Sequence, residues 1–412
     1  MQLKKQKPFG RRPKSNGKTE PINENKFKSV LEKDRTQHAG RVVLFIHQFQ
    51  HIGGGQTYTD AINDELRAQG YRVILLQTTS ALTIFLHLLL YRGSIVLWSI
   101  YQEFPIFTFF IAHITGWRNY LIILNVWTKE AASPKEKSTR KIHLKVAVDK
   151  WWWWSKQLLV GMYADGLAHL SAYSKTLFFQ QPGYAKLLKR KNSVIIQGGA
   201  DRKIFHPIKS KEKKEMMKRF GLRSESTTIL MAGRIDQRKN YEDGFKVFQR
   251  LISRRKSNHL FLYLLFSYSD EANDLSYFNY LLNKIHEYGI ANQTRIISGI
   301  DHGQIAAYYQ LADAFLMTSR YNEPFGLVSI ESIACGCPVF GYRSCAMPEI
   351  ISYHPDVFLA KTADIGKLTQ KLNAYLDFSP TRKQRLKKGL LDGIKQYRWR
   401  MTTKKLTSLF SS

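Results

Sequence analysis

Apolar residues along this chain gather in short dense runs, and the stretches between them carry apolar positions at helical spacing. Arg41-Val-Val-Leu-Phe-Ile-His47 is an apolar run of strand type, followed by a glycine loop and by a helical segment from Thr57 to Gln69 that Gly70 closes. Tyr71-Arg-Val-Ile-Leu-Leu76 is the next strand. The order repeats through Ser94-Ile-Val-Leu-Trp98, Tyr120-Leu-Ile-Ile-Leu124 and Ser193-Val-Ile-Ile196, as a parallel sheet with crossover helices requires. A turn-rich stretch, Gly198 to Pro207, interrupts the pattern and leads into a charged segment, Lys209 to Arg219. Strand-type runs then resume at Thr227 to Ala232, Leu260 to Leu265, Arg295 to Ile297, Ala314 to Met317 and Pro338 to Phe340. The pattern predicts an α/β protein of two similar units in tandem, with a cleft between them. No short-period repeat points to a solenoid or propeller.

Size agrees, because 412 residues exceed what one hydrophobic core usually fills. Charge changes the picture: 63 Lys and Arg against 32 Asp and Glu leave +31, which implies a polyanion nearby. Nucleic acid, an anionic membrane leaflet and phosphate-rich substrates all fit that balance. The three cysteines, Cys335, Cys337 and Cys345, are odd in number and crowded, which argues against a disulfide framework and for a reducing compartment. Residues 1–40 are polar and basic and read as a flexible arm. Seven Lys or Arg fall in the first eighteen residues, but no apolar segment follows as a secretory signal requires. The most apolar runs, Ala81 to Tyr91 and Phe104 to Trp117, are shorter than the ~20 residues that span a bilayer. A cytoplasmic protein, peripheral at most on the inner face of a membrane, is expected.

The segment Ser319-Arg-Tyr-Asn-Glu-Pro-Phe-Gly-Leu-Val-Ser-Ile-Glu-Ser-Ile-Ala-Cys-Gly-Cys-Pro-Val339 reads as a strand end, a loop, a helix and the start of another strand. A helix starting near Gly326 leaves the N–H groups of Gly326, Leu327 and Val328 without intrahelical acceptors, an arrangement that favours a phosphate. Glu323 precedes that helix and Glu331 lies about one turn into it, so two carboxylates border one pocket. Carboxylates beside a phosphate site suit the vicinal hydroxyls of a ribose or a hexose. A second anion-binding candidate is Met231-Ala-Gly-Arg-Ile-Asp-Gln-Arg-Lys-Asn240, where Gly233 ends a strand and Arg234 and Lys239 fall in the following loop. Parallel α/β sheets bind ligands beyond the carboxyl ends of their strands, so both loops are expected at one crevice.

On these residues the chain resembles the retaining glycosyltransferases of family four. Glu323 and Glu331 match the spacing of their E-x7-E motif, Gly233-Arg234 with Lys239 resembles their G-R-x-x-x-x-K phosphate motif, Gly199-x-Asp201 with Phe205 and Pro207 looks like their interdomain N-G-V-D-x-x-x-F-x-P, and Gly53-Gly54 resembles their N-terminal glycine loop. The resemblance implies a GT-B fold of two Rossmann-like domains: an acceptor domain over 41–197, a nucleotide-sugar donor domain over 198–390, and a C-terminal helix over 391–412 returning to the first. It further implies that Glu331 bonds the nucleotide ribose and Glu323 the transferred sugar. Arg234, Lys239 and the amides from Phe325 to Val328 would hold the diphosphate, with Gly54 at the donor. No cofactor and no divalent metal are implied, and the chain contains no D-x-D pair. Many members place a His after an N-terminal-domain strand, close to the transferred sugar. Here Asn125 stands at that place, and an amide gives no general acid–base help near neutral pH. The implied reaction is retaining transfer from a nucleotide sugar to a glycan or lipid-linked acceptor in cell-envelope or polysaccharide synthesis.

Other features have plainer readings. Gly53, Gly54 and Gly55 fail as a G-x-G-x-x-G cofactor loop because Tyr58 takes the third glycine position. His47 and His51 lack the glutamate of a metalloprotease pair, and Cys335 and Cys337 occupy small core positions. Four consecutive indoles, Trp151 to Trp154, cannot share one helix side, so some pack in the core or meet a membrane surface near Lys145, Lys150 and Lys156. Two other function classes compete. A nucleic-acid binder explains the charge but leaves the Glu323–Glu331 block idle, so no nucleic-acid partner is expected. A non-catalytic GT-B subunit supporting a partner enzyme is motivated by Asn125.

Overall fold

The computed structural model describes residues 42–47, 54–78, 80–91, 95–100, 106–124, 140–223, 225–257, 259–267, 272–300, 302–320 and 323–411. The basic arm, Gly53, His51 and Asn125 lie outside the described residues. Two six-stranded parallel sheets form the frame. The first contains β1 (Val42–His47), β2 (Arg72–Gln77), β3 (Ile95–Ile100), β4 (Arg118–Ile123), β5 (Gly166–His169) and β6 (Asn192–Ile195), in the order β2-β1-β3-β4-β5-β6. The second contains β7 (Thr227–Arg234), β8 (Leu260–Ser267), β9 (Thr294–Ser298), β10 (Ala314–Met317), β11 (Val339–Tyr342) and β12 (Leu359–Ala360), in the order β12-β11-β10-β7-β8-β9. The strand order reverses between β1 and β3 in one sheet and between β7 and β10 in the other, and ligands of doubly wound sheets bind at such reversals. This is the two-sheet GT-B arrangement.

Among the described residues, the first sheet is served by α1 (Gly54–Ala68), α2 (Ala81–Leu90), α3 (Ile106–Ile114), α4 (Arg140–Tyr163), α5 (Ala172–Phe179) and α6 (Tyr184–Leu188). The second has α7 (Ser210–Arg219), α8 (Tyr241–Arg255), α9 (Ala272–Glu287), α10 (Ile305–Leu311), α11 (Leu327–Ala334), α12 (Met347–Ile350), α13 (Pro355–Phe358), α14 (Ile365–Leu376) and α15 (Pro380–Gly393). The last helix, α16 (Trp399–Ser408), crosses back and lies along α1 and β6. No helix among the described residues is long and apolar enough to cross a membrane.

The strands are apolar runs because both sheet faces are covered. In β1 the pleat sends Val43 and Phe45 toward α1, where Ile62 and Leu66 meet them, and Leu44 and Ile46 toward α2, where Ile84 and Leu88 meet them. The core on the α1 side is continuous with that of the second domain and includes Leu406, Leu409 and Phe410 from the chain end. The core on the α2 side is separate. Between the sheets the chain passes through Gly198 and Gly199 in close quarters. A Cβ at Gly198 would lie 2.4 Å from Leu327 Cδ2, and one at Gly199 would lie 2.8 Å from the Trp399 backbone nitrogen. Cys335 and Cys337 are buried in the turn between α11 and β11.

Candidate functional site

The second domain supplies the charged wall of the cleft. β7 runs to Arg234, one residue past the strand end expected at Gly233, so this side chain leaves from the strand end and not from the loop. Asp236 then caps a single 3-10 turn over Gln237–Lys239, accepting from the Arg238 N–H at 2.9 Å. Burial pushes the Asp236 carboxyl up, but hydrogen bonds and charge from Arg238, with Arg234 at 4.0 Å, outweigh it and bring it down to about 2. Lys239 Nζ donates to Glu323 Oε2, and both side chains are less than one-fifth exposed. Asn240, at φ 51°, turns the chain into α8, and its amide donates to Asp243 at 2.7 Å and to the Thr318 carbonyl at 3.1 Å. Buried Asp243 also accepts from Arg320 at 2.6 Å and from the Tyr342 hydroxyl at 2.7 Å. One carboxylate therefore braces the β7–α8 loop against the ends of β10 and β11.

The second carboxylate enters from α11. Gly326 precedes this helix at φ 95° and ψ 58°, a left-handed conformation that glycine adopts without steric cost, and it forms the N-cap with no side-chain hydrogen bond. Gly326, Leu327 and Val328 line the cleft at a helix N-terminus. One turn later, buried Glu331 accepts from His302 Nε2 at 2.8 Å. That bond to a carboxylate raises the imidazole's affinity for a proton, with burial opposing it and the Glu331 charge adding to it. Phe205, from the stretch joining the domains, packs its ring 5.2 Å from the His302 ring.

The first domain supplies a nearly neutral wall: Gly54, Gly55, Thr57 and Tyr58 from the start of α1, Leu124 after β4 and Leu170 after β5. The helix begins at Gly54, three residues before the expected Thr57, so Gly54 and Gly55 belong to its first turn. Tyr58 is buried, and its hydroxyl donates to the Ile196 carbonyl. Three hydrogen bonds among the described residues join the domains beside the cleft. Ser171 Oγ donates to the Pro324 carbonyl at 2.5 Å, and the Ala172 and Tyr173 N–H groups donate to the Glu349 carboxylate at 3.0 and 2.7 Å.

One cleft of about 260 Å³ thus brings together Glu323, Glu331, Arg234, Lys239, Phe325, Gly326, Leu327, Val328 and Gly54. Asn125 cannot be placed, being outside the described residues. The Phe325 side chain is buried, with its ring 5.5 Å from Tyr397. Sequence reasoning missed Tyr58, Asp236, Arg238 and His302. Asp236 and Arg238 stood in the loop already singled out, whereas His302 lies between strands with no local pattern to mark it.

Residues 212–390 match the family described as Glycosyl transferases group 1. Mannosylfructose-phosphate synthase of Agrobacterium fabrum is 30% identical over 180 residues, 43% of this chain and 38% of that protein. D-inositol 3-phosphate glycosyltransferase of Thermobispora bispora is 25% identical over 217 residues, 53% of this chain and 50% of that protein. The matches span half or less of these relatives' length. Among solved structures, sucrose-phosphate synthase from Thermosynechococcus elongatus superposes with a TM-score of 0.71 at 16% identity, covering 90% of this chain and 98% of that one. Anabaena HepE in complex with UDP and glucose gives 0.69 at 16%, covering 90% and 99%. At such identities the likeness carries the fold.

Proposed function

We propose that this chain, whose residues 212–390 match the group 1 glycosyltransferases, moves a sugar from a nucleotide-sugar donor to a glycan or lipid-linked acceptor with retention of anomeric configuration. The observation that carries this reading is the pairing of Lys239 with Glu323 in the same cleft as the Gly326-led helix and the His302–Glu331 pair. Without donor, the Lys239 and Glu323 charges satisfy each other. An arriving diphosphate competes for the ammonium, and the released carboxylate becomes free to accept hydrogen bonds from sugar hydroxyls. Glu331, held by His302, accepts from the ribose in this reading. Arg234 reaches Asp236 only at 4.0 Å and retains charge for the diphosphate.

As the bond between the anomeric carbon and the phosphate oxygen breaks, negative charge grows on that oxygen. Arg234, Lys239 and the first N–H groups of α11 stabilise it, in the place a divalent cation takes in other transferases. The incoming acceptor hydroxyl attacks from the same face and passes its proton to the leaving phosphate, so Asn125 need only orient a hydroxyl. The second reading, a non-catalytic subunit, is motivated by that Asn125.

The test is a panel of nucleotide sugars offered to the purified protein, followed by thermal unfolding and by donor hydrolysis or transfer. A bound donor at 100 times its Kd stabilises by about 2.7 kcal/mol. One nucleotide sugar is expected to give that shift and to be turned over. No shift with any donor overturns the reading, and binding without transfer to any acceptor, with or without membranes, favours the subunit.

A further inference from the structure

The helices on the α2 side of the first sheet are apolar outward as well as inward. In α2, Ile84 and Leu88 are buried against the sheet, while Leu82, Leu86, Leu89 and Leu90 are exposed, Leu82 at 67%. Their spacing of four, seven and eight residues makes one continuous helix face, where a surface helix ordinarily carries charge. α3 repeats the arrangement: Phe109 and Ala112 are buried, and Phe107 and Ile114 are 68% and 81% exposed. In α4, Trp154 packs with its ring 6.1 Å from Tyr184, whereas Trp151 and Trp152 are exposed. Exposed Tyr163 at the end of α4 meets the Phe110 ring of α3 at 5.3 Å. α2 packs on α3, and α3 on α4, so these faces adjoin. Nine of the fourteen large hydrophobics exposed among the described residues lie on these three helices, which is concentration and not the usual scatter.

The charge beside this surface has one sign. α2 and α3 contain no Asp or Glu, and within residues 151–163 of α4 the one charged residue is Lys156. Lys156 Nζ lies over the Trp152 ring at 5.0 Å. α6 is tied to α4 by the Tyr184 hydroxyl, which donates to the Trp154 carbonyl at 2.7 Å, and Lys186, Lys189 and Arg190 are exposed along and just after it. We propose that the joined outer faces of α2, α3 and the Trp151–Trp152 part of α4 dock on an anionic lipid bilayer. Leucine, phenylalanine and tryptophan enter the headgroup boundary, and Lys156, Lys186, Lys189 and Arg190 meet lipid phosphates. Broad apolar cover rimmed by cations suits a bilayer, which demands area and charge but no matching shape. This docking does not depend on whether the cleft transfers sugar.

The experiment is vesicle flotation of the full chain with neutral phosphatidylcholine vesicles and with vesicles containing phosphatidylglycerol. It is repeated in salt on the order of 1 M, where the Debye length is ~3 Å. The protein is expected to float with anionic vesicles and to keep a salt-resistant share. A Leu82→Ser/Leu86→Ser/Phe107→Ser variant should lose that share by about ten-fold or more, because its apolar area no longer enters the boundary. Unchanged thermal midpoint and unchanged nucleotide-sugar stabilisation establish that the variant is folded. Deleting residues 2–18 should lower only the salt-sensitive share. Absence of the native chain from floated anionic vesicles, or equal high-salt binding by the triple variant, overturns the proposal. So does self-association without lipid that the triple substitution abolishes, which assigns the face to a second copy.

Discussion

On the second domain's side of the cleft seven ionisable side chains converge among the described residues: Arg234, Asp236, Arg238, Lys239, His302, Glu323 and Glu331. On the first domain's side, Tyr58 alone among the described lining residues can ionise, and its burial keeps the phenol well above its ordinary pKa. Both walls are built from loops at the carboxyl ends of parallel strands and both include the start of a helix. The fold therefore provides two equivalent openings, and the side chains make them unlike. In the reading proposed above, the charged wall takes the diphosphate and sugar of the donor, and the neutral wall selects by shape.

The sharpest way to break this contrast is Glu323→Gln. It removes the counter-charge of Lys239 and one carboxylate acceptor, and turnover of the nucleotide sugar is expected to fall about 100-fold with little change in unfolding temperature. A double-mutant cycle with Lys239→Met should be non-additive, since the two side chains touch. Normal turnover of Glu323→Gln at limiting donor would remove these residues from the machinery. Next in size is Asp243→Ala, behind the charged wall. It strips partners from Arg320, Tyr342 and Asn240, and because Arg320 is partly solvated the loss should be about 2–3 kcal/mol in a urea titration.

The neutral wall should respond less. Tyr58→Phe leaves the Ile196 carbonyl without its donor and is expected to cost about 1 kcal/mol of stability, with donor turnover intact. The smallest effect is that of pH through His302. Its folded-state pKa is raised above 6.5, so the protonated imidazole favours the folded chain. That contribution is fully present below pH 6.5 and disappears as pH rises through the folded value. Stability of the native protein relative to His302→Gln should therefore decline across that window and flatten above it. A difference that stays level from acid to alkaline pH would contradict the Glu331 pairing.

Much of the frame was legible because strands covered on both faces must be apolar runs. β1, β2, β7 and β8 stand out for this reason. β5, Gly166-Leu-Ala-His169, did not, since a four-residue strand half made of Gly and His has no apolar signature even though all four positions are buried. β12 is two residues long and equally silent. At the site, Glu323, Gly326 and Glu331 were readable because they share one loop and helix, and Lys239 because it follows a glycine-ended strand. His302 and Tyr58 were not, because each owes its place to a contact across the fold, Glu331 in one case and the Ile196 carbonyl in the other. The Trp151–Trp154 run left core and surface both open, and the structure divides it, with Trp154 packed and Trp151 and Trp152 outside.

The crossing of α16 back to the first sheet has a consequence for the order in which the molecule is completed. Arg118 donates to the Phe410 carbonyl at 2.5 Å, the Tyr120 ring lies 4.9 Å from that of Phe410, and Trp399 meets Tyr58 edge to face at 5.0 Å. During synthesis β1 to β6 leave the ribosome before the second domain, yet Leu406, Leu409 and Phe410, which complete the core on the α1 side, leave after it. The second domain has all its strands before that moment. The domain translated first is thus finished last, and a premature stop before Trp399 would uncover the Tyr120 side of β4 while leaving every strand of the charged domain in place.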